Sequence, residues 1–476
     1  MIQSRMKNIL TFFISSLLVC FFVTEQGCTK KEIVPTILKI QPGAGENSPP
    51  LPFRVSVLEV GSNYAVINWG PVYDPDRDTV YQEIVLNDSV ITSGLTEDKV
   101  YKITNLKPVQ SYQGYVSVTD KKSNPIKIPF TFTTKRYIIL FNRLYPGFGA
   151  SDLNKTIDGG YILAGGKSFF KIDSLGYVQW LIPATDFDND QGKVFQTRDG
   201  GYIHSNNGSI QKFDANGNKL WASLSPSFQL VYNSVTETID GKYLVAGIFF
   251  NLTNIGTILK FDQNGVLEWQ KYYDPNSSPT LSNCYSISNT KDGNFIIVGL
   301  SGVNGPKLGA SKIDSSGNIL WTQVYNHGTE IINAKIEASS DNSFIISANT
   351  AASNDVFSAW VVNIDQDGNR IWDQSFLWGD DTYCNSIVPL KEGGYVFVGA
   401  QYYSPEQAII IKLDQNGNQL WKKEFFQKNS LDYIWQFHSV KETKDKGLII
   451  MGLKNYVYSG TERGMWLLKT DENGNY

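Results

Sequence analysis

Three carboxylates stand at alternate positions in the segment Asp74-Pro75-Asp76-Arg77-Asp78. Carboxylate oxygens are the hard ligands that Ca²⁺ prefers, so Asp74, Asp76 and Asp78 are candidate metal ligands. Asp and Pro also favour solvated turns, and Arg77 places a positive charge among the three carboxylates. The turn is therefore the favoured interpretation, and a calcium site is the alternative that the sequence leaves open.

Cys28 is the second candidate for chemistry, because of the leader that precedes it. Arg5 and Lys7 are followed by the apolar run Ile9–Val23, which has the length of a signal-peptide core and is short for a membrane span. Gly27-Cys28 then resembles a bacterial lipoprotein cleavage site. The resemblance implies removal of residues 1–27 and acylation of Cys28. An ordinary secretory signal, with Cys28 incidental, is the alternative.

The rest of the chain lacks the residue patterns that usually carry catalysis. His204, His327 and His438 are scattered without zinc spacing, and no Gly-x-Ser-x-Gly motif occurs after the leader. The 42 basic and 46 acidic residues give a net charge of −4, which argues against a nucleic-acid partner. We therefore assign no catalytic, cofactor-binding or metal-binding residue and expect no cofactor.

Short alternating runs separated by turn residues fill residues 51–135 and predict a β-sandwich. Candidate strands are Arg54–Val60, Tyr64–Trp69, Val80–Leu86, Val100–Leu106, Gln113–Thr119 and Ile128–Thr133. Trp69 and the pattern Leu106-x-Pro108-x-x-x-Tyr112 resemble the core and the tyrosine corner of fibronectin type III modules. Residues 28–50, which contain four prolines, are interpreted as a tether.

From residue 136 to 476 the chain is repetitive. A motif close to Lys-x-Asp-x-x-Gly-Asn-x-x-Trp recurs seven times, with its Asp and Gly in all seven copies and its Trp in six, at spacings from 41 residues (Asp173 to Asp214) to 57 residues (Asp414 to Asp471). A second motif, close to Thr-x-Asp-Gly-Gly-Tyr, precedes each copy; its turn acids are Asp158, Asp199, Asp240, Asp292, Asp341, Glu392 and Asp445. Asp-Gly and Asn-Gly turns join antiparallel strands, so each repeat predicts a four-stranded blade of a β-propeller.

The two ends of the repeat region complement each other. The last repeat stops at Tyr476, before its Trp-bearing strand, whereas Tyr137–Tyr145 looks like an unpaired fourth strand with Phe141 in the Trp place. We therefore expect an all-β fold, a fibronectin type III-like β-sandwich followed by a seven-bladed β-propeller closed by an N-terminal strand. Cys284 and Cys384 fall two blades apart, too far for a disulfide.

The repeats resemble bacterial delta-60-like propeller repeats and, in their Asp, Gly and Trp order, quinoprotein-like propellers; neither resemblance carries catalytic residues to this chain. A non-enzymatic lipoprotein scaffold of outer-membrane assembly is built from the same repeat type. We expect a cell-envelope lipoprotein, anchored to the outer membrane through Cys28, that binds a protein or glycan on one propeller face. Which side of the membrane it faces stays open.

The alternative function is a glycan-acting enzyme with carboxylates in the propeller cleft. Two acids roughly 5–10 Å apart beside aromatic residues would favour this enzyme. A channel lined by Ser, Thr and Lys would favour binding. Aromatic residues in variable loops, Phe249-Phe250, Tyr402-Tyr403 and Tyr456-Val457-Tyr458, are either ligand contacts or packing between blades.

Overall fold

The computed structural model describes residues 47–95, 100–165, 168–183, 193–206, 208–225, 227, 229–250, 254–273, 281–302, 307–351, 356–402, 407–425, 432–456 and 462–476. The leader 1–27, Cys28 and most of the tether lie outside them. The described residues form 35 strands and contain no helix, hence none long and apolar enough to cross a membrane. The chain divides after Lys135 into unit 1 and unit 2, which begins at Arg136.

Unit 1 contains two antiparallel sheets with orders β1-β2-β5 and β4-β3-β6-β7. Six strands lie close to their predicted positions, and the seventh, β4, was not predicted. Residues 47–50, assigned to the tether, contact this unit instead: the Asn47 amide bonds to Asp120 at 2.8 Å and Pro50 is buried. The strands are β1 (Val55–Val60), β2 (Ala65–Trp69), β3 (Tyr81–Leu86), β4 (Ser89–Leu95), β5 (Val100–Ile103), β6 (Ser111–Thr119) and β7 (Ile126–Thr133).

The two residues singled out in unit 1 hold its core and one corner. Trp69 is 1% exposed and donates its indole N–H to Gln82, so the ring fills the core while its polar atom is satisfied. The Tyr112 hydroxyl accepts the backbone N–H of Lys107 at 2.8 Å. This bond ties the start of β6 to the preceding loop, which is the geometry of a tyrosine corner.

Unit 2 contains seven four-stranded antiparallel sheets, numbered here 1 to 7 along the chain. Within each sheet consecutive strands are neighbours, as expected for hairpin connections, and sheet 7 recruits β8 (Phe141–Pro146) as its fourth strand. The strands of sheets 1 to 3 are β9 (Asp152–Lys155), β10 (Tyr161–Gly165), β11 (Ser168–Ile172) and β12 (Val178–Pro183); β13 (Lys193–Gln196), β14 (Tyr202–Asn206), β15 (Ser209–Phe213) and β16 (Lys219–Leu224); and β17 (Leu230–Glu237), β18 (Tyr243–Phe249), β19 (Ile255–Phe261) and β20 (Leu267–Tyr273).

Sheets 4 to 7 continue the same pattern with longer strands. Their strands are β21 (Leu281–Asn289), β22 (Phe295–Ser301), β23 (Lys307–Ile313) and β24 (Ile319–Tyr325); β25 (Glu330–Ala338), β26 (Phe344–Ala351), β27 (Phe357–Ile364) and β28 (Arg370–Phe376); β29 (Asp381–Pro389), β30 (Tyr395–Tyr402), β31 (Gln407–Leu413) and β32 (Gln419–Phe425); and β33 (Asp432–Glu442), β34 (Leu448–Tyr456) and β35 (Glu462–Thr470). The second and third strands are almost continuously buried, because each sheet is covered on both faces by its neighbours.

The two sequence motifs meet inside four of the seven sheets. There the turn acid between the first and second strands binds the Lys of the third strand: Asp158–Lys171 at 2.5 Å, Asp199–Lys212 at 2.8 Å, Asp292–Lys312 at 2.8 Å and Asp445–Lys469 at 3.0 Å. The motif Thr, such as Thr443, donates its hydroxyl to the same carboxylate. Three of the lysines, Lys171, Lys212 and Lys469, are under 5% exposed, so the acid compensates a charge held in the sheet.

The repeated tryptophans join one sheet to the next. A Cβ added to Gly368 in sheet 5 would lie 2.8 Å from the Trp321 ring of sheet 4, and the Tyr325 hydroxyl donates to the Gly368 carbonyl at 2.7 Å. The same Trp-to-glycine packing occurs at Trp180–Gly217, Trp221–Gly265, Trp269–Gly317, Trp372–Gly417 and Trp421–Gly474. The repeated tryptophan rings therefore pack between neighbouring sheets.

The seventh sheet contacts the first in the same way. Phe141 pairs with Lys469 in the strand register, and its ring packs on Gly176 of sheet 1, where the other sheets have Trp. The Tyr145 hydroxyl donates to the Gly176 carbonyl at 2.7 Å, as Tyr325 does to Gly368. Residues of both sheets share one buried apolar cluster, which includes Leu163 and Met465. Unit 2 is thus all-β and propeller-like.

Candidate functional site

A cavity of about 550 Å³ lies among the first strands of the sheets of unit 2. Seven of its lining residues stand six positions before the turn acids, one from each sheet: Asp152, Lys193, Ser234, Ser286, Lys335, Ser386 and Ser439, called here the first channel row. Six more stand four positions before those acids: Asn154, Phe195, Thr236, Ser288, Glu337 and Lys441, the second channel row. The intervening position is apolar, because side chains alternate along a strand and that one faces the core.

Serines of the first channel row help to fix its geometry. The Ser234, Ser286 and Ser386 hydroxyls accept backbone N–H groups of Ile287, Ile336 and Val440, each at 3.4 Å. Each of these bonds joins one first strand to a first strand of another sheet. The row is therefore held by bonds between sheets as well as by the packing behind it.

Two acids line the cavity, and both are engaged. Glu337 accepts a charged bond from Lys441 at 2.5 Å, which joins sheets 5 and 7 across the channel. Asp152 accepts the backbone N–H of Val194 at 3.1 Å. Burial lowers the pKa of the Lys441 ammonium, but Glu337 and Asp152 outweigh it, and the pKa ends above its ordinary value. Phe195 and Tyr285 are the aromatic residues of a lining that is otherwise mainly hydroxyl, amide and ammonium groups.

Two lysines of the channel, Lys193 and Lys335, differ from Lys441 in their electrostatic partners, and His438 lies near both of them. The Lys335 ammonium donates to the His438 carbonyl at 3.4 Å and, like Lys193, has no acidic partner within ion-pair distance among the described residues. Burial and the nearby Lys193 lower the pKa of Lys335 to about 7. Burial, Lys335 and Lys193 likewise lower the pKa of His438 to about 4, so its imidazole is neutral at pH 7.

The other histidines and the cysteines have structural roles. His204 lies beside Phe169 with ring centroids 5.5 Å apart, and His327 stacks on Trp360 at 4.8 Å. Cys284 and Cys384 are both buried and unbonded to each other, as expected from their places in sheets 4 and 6. Burial raises the pKa of each thiol to about 12, so neither is a nucleophile at neutral pH.

Asp74, Asp76 and Asp78 do come together in unit 1. Their oxygens lie within 4.8 Å of one another, and no other group of three candidate ligands gathers among the described residues. Asp74 accepts the backbone N–H groups of Asp76 and Asp78 at 2.9 and 3.1 Å, and Lys122 binds Asp78 at 2.7 Å. These bonds are those of a turn, but the second carboxylate oxygens of Asp74 and Asp78 are buried without a hydrogen-bond partner. The turn and the calcium site therefore both stay predictions.

The loop aromatics give a mixed result. Phe249 packs on Tyr272 with centroids 5.3 Å apart, and Tyr402 lies edge-on to Tyr383 at 5.2 Å, so both take part in packing. Phe250 is 42% exposed. The Tyr403, Val457 and Tyr458 positions and the Tyr456 side chain lie outside what the structure describes.

Sequence reasoning missed the lysines of the channel, although the signal was present. Alignment of the repeats on their turn acids places Lys193 and Lys335 at the position that faces the cavity, where four other sheets have Ser. The candidate ligand-binding residues are therefore those that differ from their counterparts in the other repeats. The residues that recur in every repeat form turns, ion pairs and packing contacts.

Comparison with known proteins gives a likeness of fold alone. No family model and no curated protein matches the chain. Among solved structures, the Pan2 WD40 domain of Neurospora crassa is 13% identical (TM-score 0.46; 68% of this chain, 89% of that one), and a Bacteroides caccae protein of unknown function is 15% identical (0.39; 56% and 92%). An ulvan lyase bound to a GlcA–Rha3S glycan is 8% identical (0.48; 69% and 96%). None of these three scores reaches 0.5, so no function is transferred from these proteins.

Proposed function

We propose that this chain is a non-enzymatic, lipid-anchored cell-envelope protein that binds a glycan in the channel of a seven-bladed β-propeller. The observation that carries the proposal is the cavity, whose lining is rich in Ser, Thr, Asn and Lys side chains. Such groups donate and accept hydrogen bonds to sugar hydroxyls, and a volume of about 550 Å³ is typical of small-ligand sites. A concave polar channel suits a glycan better than a protein surface.

Seven four-stranded sheets, each packed on the next and the seventh on the first, support the seven-bladed arrangement. The strand orders of unit 1 and its tyrosine corner support a fibronectin type III-like module. We propose that this module acts as a spacer between the propeller and the lipid on Cys28, at the outer membrane.

The glycan-acting enzyme is the second candidate, because Asp152 and Glu337 both line the cavity. A general acid must give up its proton to the leaving group, whereas Glu337 is ion-paired with Lys441. The arrangement therefore favours binding without turnover.

A glycan array and a pull-down with the purified protein test the proposal. Binding to glycans, with no new reducing ends or unsaturated products after prolonged incubation, is the expected result. Release of product that is lost in both Asp152→Asn and Glu337→Gln would establish the enzyme instead, and capture of a protein partner alone would exclude the glycan. For the anchor, Cys28→Ser should move the protein from the membrane to the soluble fraction.

A further inference from the structure

Lys193 of sheet 2 and Lys335 of sheet 5 line the channel, and both lower the pKa of the nearby His438 in sheet 7. No carboxylate of the described residues forms an ion pair with either lysine, and the buried His438 Nε2 has no hydrogen-bond partner. In contrast, Lys441 one row away has Glu337 at 2.5 Å. The channel thus contains one lysine, Lys441, with a carboxylate partner and two lysines without one.

The two lysines without a carboxylate partner are electrostatically costly without an anion. Like charges that face the same partly buried cavity repel, and removal from water penalises each charged form. Lys335 also faces Asp152, Lys441 and the Cys384 thiol, while Ser234 and Ser286 of sheets 3 and 4 add no charge. Asp152 alone does not offset the repulsion and burial that act on Lys335, because the pKa of Lys335 still falls to about 7.

We propose that the channel selects acidic sugars and that Lys193 and Lys335 bind the carboxylate or sulfate group while hydroxyl side chains of the two channel rows bind the ring hydroxyls. This inference rests on the proposed glycan-binding function and narrows its ligand class. An ammonium group binds such an oxyanion through charge-assisted bonds that a neutral sugar does not form. The row of serines supplies donors and acceptors at the same depth of the channel.

Binding of an anion beside Lys335 favours its charged form, so binding and protonation are linked. With a pKa of about 7, Lys335 in the free protein is mostly charged at pH 6 and mostly neutral at pH 8. The affinity for an acidic sugar therefore falls about tenfold from pH 6 to pH 8. Near pH 8 the complex takes up close to one proton, whereas a neutral sugar causes no uptake.

Isothermal titration calorimetry of the full-length protein tests this with oligoglucuronate, glucose 6-sulfate, neutral gluco-oligosaccharide and inorganic sulfate as probes. Titrations in two buffers of different ionisation enthalpy give the proton uptake. The variants are Lys335→Met and Lys193→Met, with Lys307→Met as the control, because Lys307 is exposed on β23 and does not line the cavity. Comparison of oligoglucuronate with glucose 6-sulfate identifies which anion the site prefers.

The inference predicts that an acidic sugar binds with proton uptake, that Lys335→Met abolishes the uptake and weakens binding at least tenfold, and that Lys307→Met changes neither. Equal binding of acidic and neutral sugars, or unchanged affinity in both channel variants, would overturn the inference and leave glycan binding standing. Inorganic sulfate that binds as tightly as the acidic sugars would show an adventitious ion only, because the sugar ring would then contribute nothing, and this result would also overturn the inference. If no carbohydrate of either charge binds, the proposed function itself fails.

Discussion

Substitution of Gly368 by Ala measures how much the repeated tryptophans stabilise the contact between sheets. Gly368 has φ +81°, and an added Cβ would lie 2.8 Å from both the Trp321 ring and Gln323. The left-handed backbone costs a residue with a Cβ about 1–2 kcal/mol, and overpacking against a fixed ring costs about 1–3 kcal/mol more. We expect Gly368→Ala to lower the free energy of unfolding by about 2–5 kcal/mol.

Gly293 is the matched control for this substitution. Its φ is +80°, but nothing lies within 4 Å of an added Cβ. Gly293→Ala should therefore lose only the backbone share, about 1–2 kcal/mol. Both variants are compared with the wild type by urea denaturation followed through Trp fluorescence.

A double-mutant cycle separates the ring contact from the backbone effect. In a Trp321→Ala background the ring is removed while Gln323 remains, so Gly368→Ala should cost less than in the wild type and at least as much as Gly293→Ala. Equal losses of unfolding free energy for Gly368→Ala and Gly293→Ala in the wild-type background would refute this account of the contact between sheets. They would mean that the Trp321 ring adds nothing to the cost of a Cβ at Gly368.

Three further predictions concern charge and burial. Hydrogen bonds and charges from Thr443 and Lys469 outweigh burial and hold the pKa of Asp445 below its ordinary value, and Asp158 and Asp199 behave alike. Because the folded pKa values of these carboxyl groups are depressed, their contribution to folding stability is complete above about pH 5 and is lost as the pH falls from about 4. The urea midpoint should therefore be lower at pH 3 than at pH 7. The difference between the two midpoints should be smaller in Asp445→Asn. Lys469→Met should lower the free energy of unfolding by about 3–5 kcal/mol, because it leaves Asp445 without its cation. Arg370→Gln, which removes the exposed ion pair with Asp373, should lower it by about 1 kcal/mol or less in the same assay. Cys284 and Cys384 should resist iodoacetamide in the folded protein and react only in denaturant; rapid labelling of the native state by mass spectrometry would contradict their burial.

The repeat architecture could be predicted because its signals are local. Asp-Gly and Asn-Gly turns, the alternation of the strands and the missing fourth strand of the last repeat can all be seen in the sequence, and β8 does pair with β35. Strand β4 escaped prediction because Ser89–Leu95 contains Ser, Thr and Gly and has little hydrophobic alternation. Its position depends on pairing with β3, a tertiary effect that local propensity does not encode.

The candidate site was less predictable than the fold. Its residues come from seven strands separated by 40 residues or more, as Asp152 and Lys193 are, so only the tertiary arrangement of the seven sheets brings them together. The turn acids were expected to shape hairpins, and their ion pairs with the buried lysines of the third strand were not foreseen. The channel lysines were missed because a single Lys on a strand usually indicates a solvent-exposed position.

The proposed seven-bladed propeller requires that the strand before the first repeat complete the last sheet. In the structure Asn142 of β8 accepts the Trp466 indole N–H of β35 at 2.7 Å, and Asn142 itself is exposed. A photoreactive amino acid placed at position 142 therefore tests the closure directly when its cross-linked peptides are sequenced. The account predicts cross-links to the peptide that contains residues 464–470; cross-links confined to another repeat, or none to that peptide, would contradict it.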